Sequence, residues 1–255
     1  MHNELFTVGP FTIYGYGLMI AIGFAATILI SSILVKKAEL DSDVVFDLSI
    51  FAIIGGVVGA KLLYILVNIK DIFSSSDFLS KIQGGFVVYG GIILGFLLCF
   101  FYCKRKKIQF LSYYDIIMPT IFIGQGFGRL GCFLAGCCYG KGYSGPGSIT
   151  FINSSYAPNN ISLFPSQLVS SAYDFIMAFI LIVIVSKHVK FKGQMGTLYF
   201  IIYSIGRIII EFFRGDVERG YILGLSTSQF ISVIVLVMSL IFYIKLKKKD
   251  EGIIA

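Results

Sequence analysis

The chain has 255 residues, of which 56% are hydrophobic and only 14% charged. A soluble domain carries roughly a quarter charged residues, so this composition excludes an ordinary water-soluble enzyme. The net charge of +7 sits mostly in short blocks between apolar runs, a topology signal that gives no reason to expect nucleic acid as a partner.

The apolar runs are about 20 residues long, enough to cross a hydrocarbon core of about 30 Å. Seven spans are expected, over 12–35, 45–68, 86–103, 114–133, 166–186, 195–213 and 226–246. The expected fold class is therefore an all-α polytopic membrane protein with seven transmembrane helices, forming a single domain over 1–255. The N-terminal segment lacks a basic leader and a small-residue cleavage pattern, so the first span is expected to stay in place. One set of loops carries thirteen Lys and Arg residues: 36, 37, 104–107, 187, 190, 192, 245 and 247–249. The alternate set carries five: Lys70, Lys81, Lys141, Arg214 and Arg219. The positive-inside rule puts the first set in the cytoplasm, with the N-terminus outside and the C-terminus inside.

Three basic residues remain within spans: Lys61, Arg129 and Arg207. At 1.5 Å per helical residue, each lies in the outer half of its span. Cations at one depth on separate helices point to a pocket that opens outward, with snorkelling to the interface as the alternative for each.

In chain order, the first span opens with YGYGLM. Tyr14 is suited to the aromatic belt, while Tyr16 sits deeper between Gly15 and Gly17. Gly55 and Gly59 of the second span form a small-xxx-small packing face. A short serine-rich loop follows, of a kind that suits an interfacial lid. Then comes GGFVVYGG, which brackets Tyr89 with glycine pairs at the mouth of the third span. Asp115 belongs near the inner surface. Asp174 lies deeper in the fifth span and needs a partner or a proton.

The stretch from Gly128 to Gly140, GRLGCFLAGCCYG, puts Arg129 inside an apolar run and then breaks into glycines and cysteines. An arginine there marks a functional site by default. The outer loop from Lys141 to Phe164 leads into PSQL, whose Ser166 and Gln167 suit a pocket rim. Arg207, Glu211 and Arg214 are spaced i, i+4 and i+7 on one helical face. The last span, after LSTSQ, shows no internal charge and reads as scaffold.

Guanidinium groups in a dry, outward-opening cleft match the geometry of phosphate oxygens. In a pocket reached from lipid, the available phosphates are phospholipid head groups. The cations would also stabilise charge developing on a leaving phosphate.

These segments, taken together and in order, resemble the prolipoprotein diacylglyceryl transferase family. GRLGCFLAGC at 128–137 is similar to that family's Gly-Arg-x-Gly-Asn-Phe-x-Asn-Gly-Glu hallmark. YGLM at 16–19 resembles its first-span motif, and GGFVVYGG its glycine-flanked histidine segment. PSQL at 165–168 resembles HPSQLYE, and RIIIEFFRGD at 207–216 resembles RFxxEFxRxPD. LSTSQ resembles its last-span entry. The resemblance implies seven spans, an outward-facing site and transfer of the diacylglyceryl group of phosphatidylglycerol to the thiol of a prolipoprotein's lipobox cysteine. It implies a multi-pass protein of a bacterial cytoplasmic membrane and no cofactor.

On that basis Arg129 and Arg207 handle the phosphate, Glu211 fixes Arg207, and Tyr89 hydrogen-bonds the substrate. Tyr16, Lys61, Gln167, Arg214, Gly131, Cys132 and Cys137 are expected to line the substrate pocket. The chain departs from the family pattern at several points. Tyr89 stands in place of a histidine proposed as base, and a phenol with pKa near 10 is a poor base at neutral pH. Cys132, Ala135 and Cys137 replace two asparagines and a glutamate. Phe164 replaces a histidine, Val169 a tyrosine, and Lys61 an arginine. A different thiol, alcohol or glycolipid acceptor is one alternative; a non-catalytic protein that binds or moves an anionic lipid or solute is another.

Cys99 and Cys103 suit apolar packing. Cys132, Cys137 and Cys138 have three readings: a disulfide that pins the loop, a nucleophile, or a role not yet assigned. A zinc site lacks a clear fourth ligand, so no metal is expected.

Overall fold

A computed structural model describes residues 4–9, 11–73, 77–216 and 220–252. Two short strands open it, β1 (Glu4–Val8) and β2 (Phe11–Tyr14), paired antiparallel. The first helix thus starts at Gly15 and not at residue 12. The β-branched and aromatic FTIY segment pairs back across a turn where Gly9 has φ of +60°, and this local hairpin wins over extension of the helix.

Seven longer helical segments follow: α1 (Gly15–Lys37), α2 (Asp43–Val67), α5 (Val88–Arg105), α6 (Phe110–Ala135), α7 (Ser166–Phe179), α8 (Gln194–Glu211) and α9 (Thr227–Asp250). Short helices α3 (Ile69–Phe73) and α4 (Phe78–Gln83) lie between α2 and α5, where a polar loop was expected. Beyond α7 the helix runs on as a π-helical turn (Ile180–Ile184) and a 3₁₀ turn (Val185–His188).

Among the described residues, six helices are long and apolar enough to cross a membrane: α1, α2, α5, α6, the continuous run Ser166–His188, and α9. At most 28% of each apolar window is buried in protein, so their side chains need a non-aqueous solvent. The molecule is an all-α polytopic membrane protein. The expected sixth span forms α8, which carries Gln194, Arg207 and Glu211 and is not among these six.

The chain clusters into two compact units, one of residues 1–31 with 114–255 and one of residues 32–113. In the smaller unit α2 and α5 pack glycine on glycine. A Cβ at Gly59 would lie 2.3 Å from the Gly90 carbonyl oxygen, and one at Gly55 would lie 2.6 Å from Gly95 Cα. Such approach gives backbone packing in lipid, where the hydrophobic effect between helices vanishes.

In the larger unit, Phe122, Ala178, Leu181, Met195 and Tyr199 form a core from α6, α7 and α8. Asp115, expected near the inner surface, caps α8: its carboxylate accepts from the N–H groups of Gly193 at 2.5 Å and Gly196 at 3.0 Å. Strands β3 (Ile149–Thr150) and β4 (Ser162–Leu163) pair in the long loop. That loop has its own small core of Phe151, Ala157 and Leu163.

Replacing Gly59 with Val is expected to weaken the α2–α5 contact by about 1–3 kcal/mol through overpacking. Gly56→Ala is the control on the same helix, because a Cβ there meets nothing within 4 Å. Thermal melting of the helical circular-dichroism signal in detergent separates the two: a lower midpoint for Gly59→Val and an unchanged one for Gly56→Ala.

Candidate functional site

The site is built around the end of α6. At Gly136, φ of +76° ends the helix, with Cys137 N–H donating to Cys132 O and Gly136 N–H to Phe133 O, each at 3.1 Å. These two bonds form a Schellman cap, which takes glycine at its left-handed position. A Cβ at Gly136 would also lie 2.3 Å from Ser154 Oγ. The next turn bends at Cys138, itself at φ of +60°.

Helix α7 holds this turn from the other side. Gln167 Nε2 donates to Cys137 O and Ser166 Oγ to Cys138 O, both at 2.8 Å. Gln167 is only 1% exposed, so it fixes the loop backbone from within, where the sequence suggested a rim. Further along, Ser171 Oγ donates to Gly126 O at 2.9 Å. The segment then crosses the end of α8: Lys141 N–H donates to Phe213 O at 2.9 Å and Gly215 N–H to Tyr139 O at 3.0 Å.

Cys132, Cys137 and Cys138 converge, with their sulfurs all within 4.8 Å of one another. All three are thiols, with no disulfide among them. Sulfur hydrogen bonds to Cys132 and Cys138, reinforced by burial, push the Cys137 thiol up. Bonds from Cys132 and Cys137 pull the Cys138 thiol down, assisted by the positive charges of Arg214 and Arg129.

The arginines gather in the same unit. Arg207 Nη2 stands 3.0 Å from Glu211 Oε2 and donates to Ser228 Oγ at 2.9 Å. Arg214 grips Asp216 with two bonds, Nε to Oδ1 at 3.0 Å and Nη2 to Oδ2 at 2.8 Å. Its Nε also lies 3.9 Å from Glu211 Oε2. Ser226 Oγ donates to Glu211 Oε1 at 3.0 Å. The same Ser226 starts α9 through a reciprocal capping box with Gln229, which is the S-x-x-Q signature.

Arg129 is different. It acts electrostatically with Arg214, Arg207, Asp174, Cys132 and Cys138. Yet among the described residues it makes no hydrogen bond or ion pair. Its guanidinium offers five donors in a fixed fork.

Asp174, 5% exposed, lies within the electrostatic reach of Arg129 and Arg207 but makes no ion pair with either. Gly131 lets α1 approach: a Cβ there would lie 3.2 Å from Tyr16 Cδ2 and 3.3 Å from Met19 Cβ. Tyr16 in turn shares the electrostatic surroundings of Arg129 and the three thiols.

The larger unit therefore brings together Arg129, Gly131, Cys132, Cys137, Tyr16, Gln167, Arg207, Glu211 and Arg214. Lys61 and Tyr89 belong to the smaller unit. Lys61 Nζ donates to Gly84 O at 2.7 Å and stands over the rings of Phe86 and Tyr64, at 4.8 and 5.3 Å. It holds the glycine turn that precedes Tyr89. Tyr89 lies in the first turn of α5 and is 40% exposed.

Sequence reading missed Asp216, Ser226 and Ser228 as parts of the site, and named Cys138 only as a member of the thiol cluster. The capping pattern in LSTSQ was the available signal for Ser226, but a segment read as scaffold hid it.

The fold and this cluster define a polytopic membrane protein with a group of largely buried guanidiniums. A profile of the prolipoprotein diacylglyceryl transferase family matches residues 3–245, and the chain belongs to that family of membrane transferases. It is 45% identical over 243 residues to a phosphatidylglycerol–prolipoprotein diacylglyceryl transferase of Clostridium tetani, covering 95% of this chain and 97% of the relative. A second such transferase, from Clostridium perfringens, is 38% identical over 94% of each chain. One from Finegoldia magna is 30% identical, over 98% of this chain and 97% of its own.

Removing the charge of Glu211 leaves Arg207 and Arg214 facing each other in a buried setting. Glu211→Gln is expected to destabilise the protein by about 3–5 kcal/mol, the usual cost of breaking a buried ion pair. A double variant with Arg207→Gln should recover part of that loss, as read from thermal midpoints of the single and double variants in one detergent.

Proposed function

We propose that the chain transfers the diacylglyceryl group of phosphatidylglycerol to the thiol of a prolipoprotein's lipobox cysteine and releases glycerol phosphate. The reaction takes place at the outer face of a bacterial cytoplasmic membrane. In this reading α8 is the remaining crossing of seven, the N-terminus lies outside, and the C-terminus lies in the cytoplasm. The thirteen-to-five bias of loop Lys and Arg residues supports that orientation.

The observation that carries the proposal is Arg129, whose donors are uncommitted among the described residues while two further guanidiniums lie within its electrostatic reach. A permanently charged fork with no hydrogen-bonded partner among the described residues suits an incoming phosphate. Arg207, held by Glu211 and Ser228, keeps donors available for the same group. Both stabilise the charge that grows on the phosphate oxygen as the glyceryl C–O bond breaks. Arg214 is tied to Asp216 and supports the field without offering its fork. Tyr16 flanks the guanidinium site as a pocket residue, and Gln167 acts by holding the Cys137 carbonyl. Lys61 holds the glycine turn that precedes Tyr89, the residue proposed to hydrogen-bond the substrate.

Cys132 and Cys137, which replace one asparagine and the glutamate of the family pattern, favour a second reading, in which the donor is kept and the acceptor is another thiol or an alcohol. Purified protein incubated with labelled phosphatidylglycerol and a lipobox peptide distinguishes these readings. Lipidated peptide supports the prolipoprotein acceptor; glycerol phosphate release without it supports a different one. Binding without turnover would leave a lipid-binding protein. Arg129→Gln is expected to lower turnover by about 10²- to 10³-fold, the usual cost of losing one preorganised charge-stabilising donor. A normal rate in that variant would overturn the assignment.

A further inference from the structure

Three thiols at the end of α6 play no part in phosphate handling as derived above. Cys132 comes from the last helical turn, and Cys137 and Cys138 from the segment beyond it, with all three sulfurs within 4.8 Å of one another. Their backbone is set before any ligand arrives: the Schellman cap at Gly136, the left-handed turn at Cys138, and the bonds from Gln167 and Ser166 hold the carbonyls of Cys137 and Cys138. Tetrahedral zinc–thiolate bonds of about 2.3 Å place sulfurs roughly 3.8 Å apart, so the cluster needs to close by only about 1 Å. Three thiolates around a dication carry one excess negative charge. Arg129 and Arg214, whose fields reach Cys138, offset it. Among the described residues no fourth His, Cys, Asp or Glu joins the group.

We infer that Cys132, Cys137 and Cys138 form a three-thiolate site for a thiophilic divalent ion of the zinc class, whose fourth coordination position takes the acceptor thiol. This role in acceptor activation rests on the transferase reading; the metal site itself does not. Three protein ligands with one exchangeable position is the pattern of catalytic zinc, and a thiol that coordinates such an ion loses its proton outright. The acceptor thiol displaces water from the ion and releases its proton to solvent. Its sulfur lone pair then forms the S–C bond to the glyceryl carbon. The C–O bond to phosphate breaks, and its electron pair leaves with glycerol phosphate. The neutral thioether dissociates and water returns. This route supplies an acceptor thiolate without a base, in a chain that carries Tyr89 where the resembling family has a histidine.

Reduced protein stripped with a chelator and titrated with Cd²⁺ tests the site. The expected result is one ion per chain, with the ultraviolet band of thiolate-to-cadmium charge transfer. Cys138→Ser and Cys132→Ser should each weaken binding at least tenfold, whereas Cys99→Ser should leave it unchanged. Absence of the band, or its persistence in both site variants, would overturn the site. Isolation of any two of the three cysteines as a disulfide under reducing conditions would overturn it too.

The role is read separately, as lipidated peptide formed by stripped and Zn²⁺-reloaded wild-type enzyme. At least a tenfold loss restored by Zn²⁺ supports it; equal rates in both states would overturn it while leaving the transferase reading intact. Cadmium binding with no product from either state would instead overturn the activation role together with the transferase reading it rests on.

Discussion

The Glu211 carboxylate is the constraint on which the cationic site depends. One oxygen accepts from Ser226, while the other faces Arg207 at 3.0 Å and Arg214 at 3.9 Å. The carboxylate between Arg207 and Arg214 makes their burial near one another tolerable, since unpaired charge in a low-dielectric interior costs several kcal/mol per ion. The pairing is also geometric. Arg207 and Glu211 sit one helical turn apart on α8, so helix formation alone sets their spacing. Ser226 then ties that turn to the start of α9, and the capping box of α9 and the orientation of Glu211 share one hydroxyl.

The thiol loop is organised on a similar plan, through backbone carbonyls in place of charges. Gln167 and Ser166 reach from the first turn of α7 to the carbonyls of Cys137 and Cys138. An antiparallel bridge joins Gly140 to Arg214, so the loop after α6 and the segment after α8 are held in register. The cysteine turn and the arginine stripe are therefore two parts of one backbone arrangement. A Cβ at Gly140 would lie 2.2 Å from Phe164 O and one at Gly215 would lie 2.5 Å from Gly140 O, so side chains at these points would force the strands apart.

Much of this was legible before any coordinates. The apolar runs located the helices, because lipid leaves few alternatives to a hydrogen-bonded helix. Arg129, Arg207 and Glu211 stood out because charge in such runs needs a reason. What escaped reading depended on partners distant in sequence. Gln167 looked like a rim donor, since nothing in PSQL shows that it points at a carbonyl thirty residues earlier. For Lys61 the hidden part was its contact with two carbonyls and the Phe86 ring of the glycine turn, and with the ring of Tyr64 on its own helix. The start of α1 was placed too early because an apolar segment of four residues reads alike as strand or helix. The surroundings of Asp174 were hidden because the arginines whose charges reach it lie on two other helices.

The sparse burial of the six apolar helices has a further consequence. With so little of their surface covered by protein, the hydrocarbon around them is solvent and reservoir at once. An enzyme that draws its donor from that reservoir responds to the lateral mole fraction of the anionic lipid and not to an aqueous concentration. Dilution of the whole suspension leaves donor encounter unchanged, while blending in a zwitterionic lipid slows it. Saturation is then a property of bilayer composition, and the cell regulates donor supply by the lipids it chooses to make.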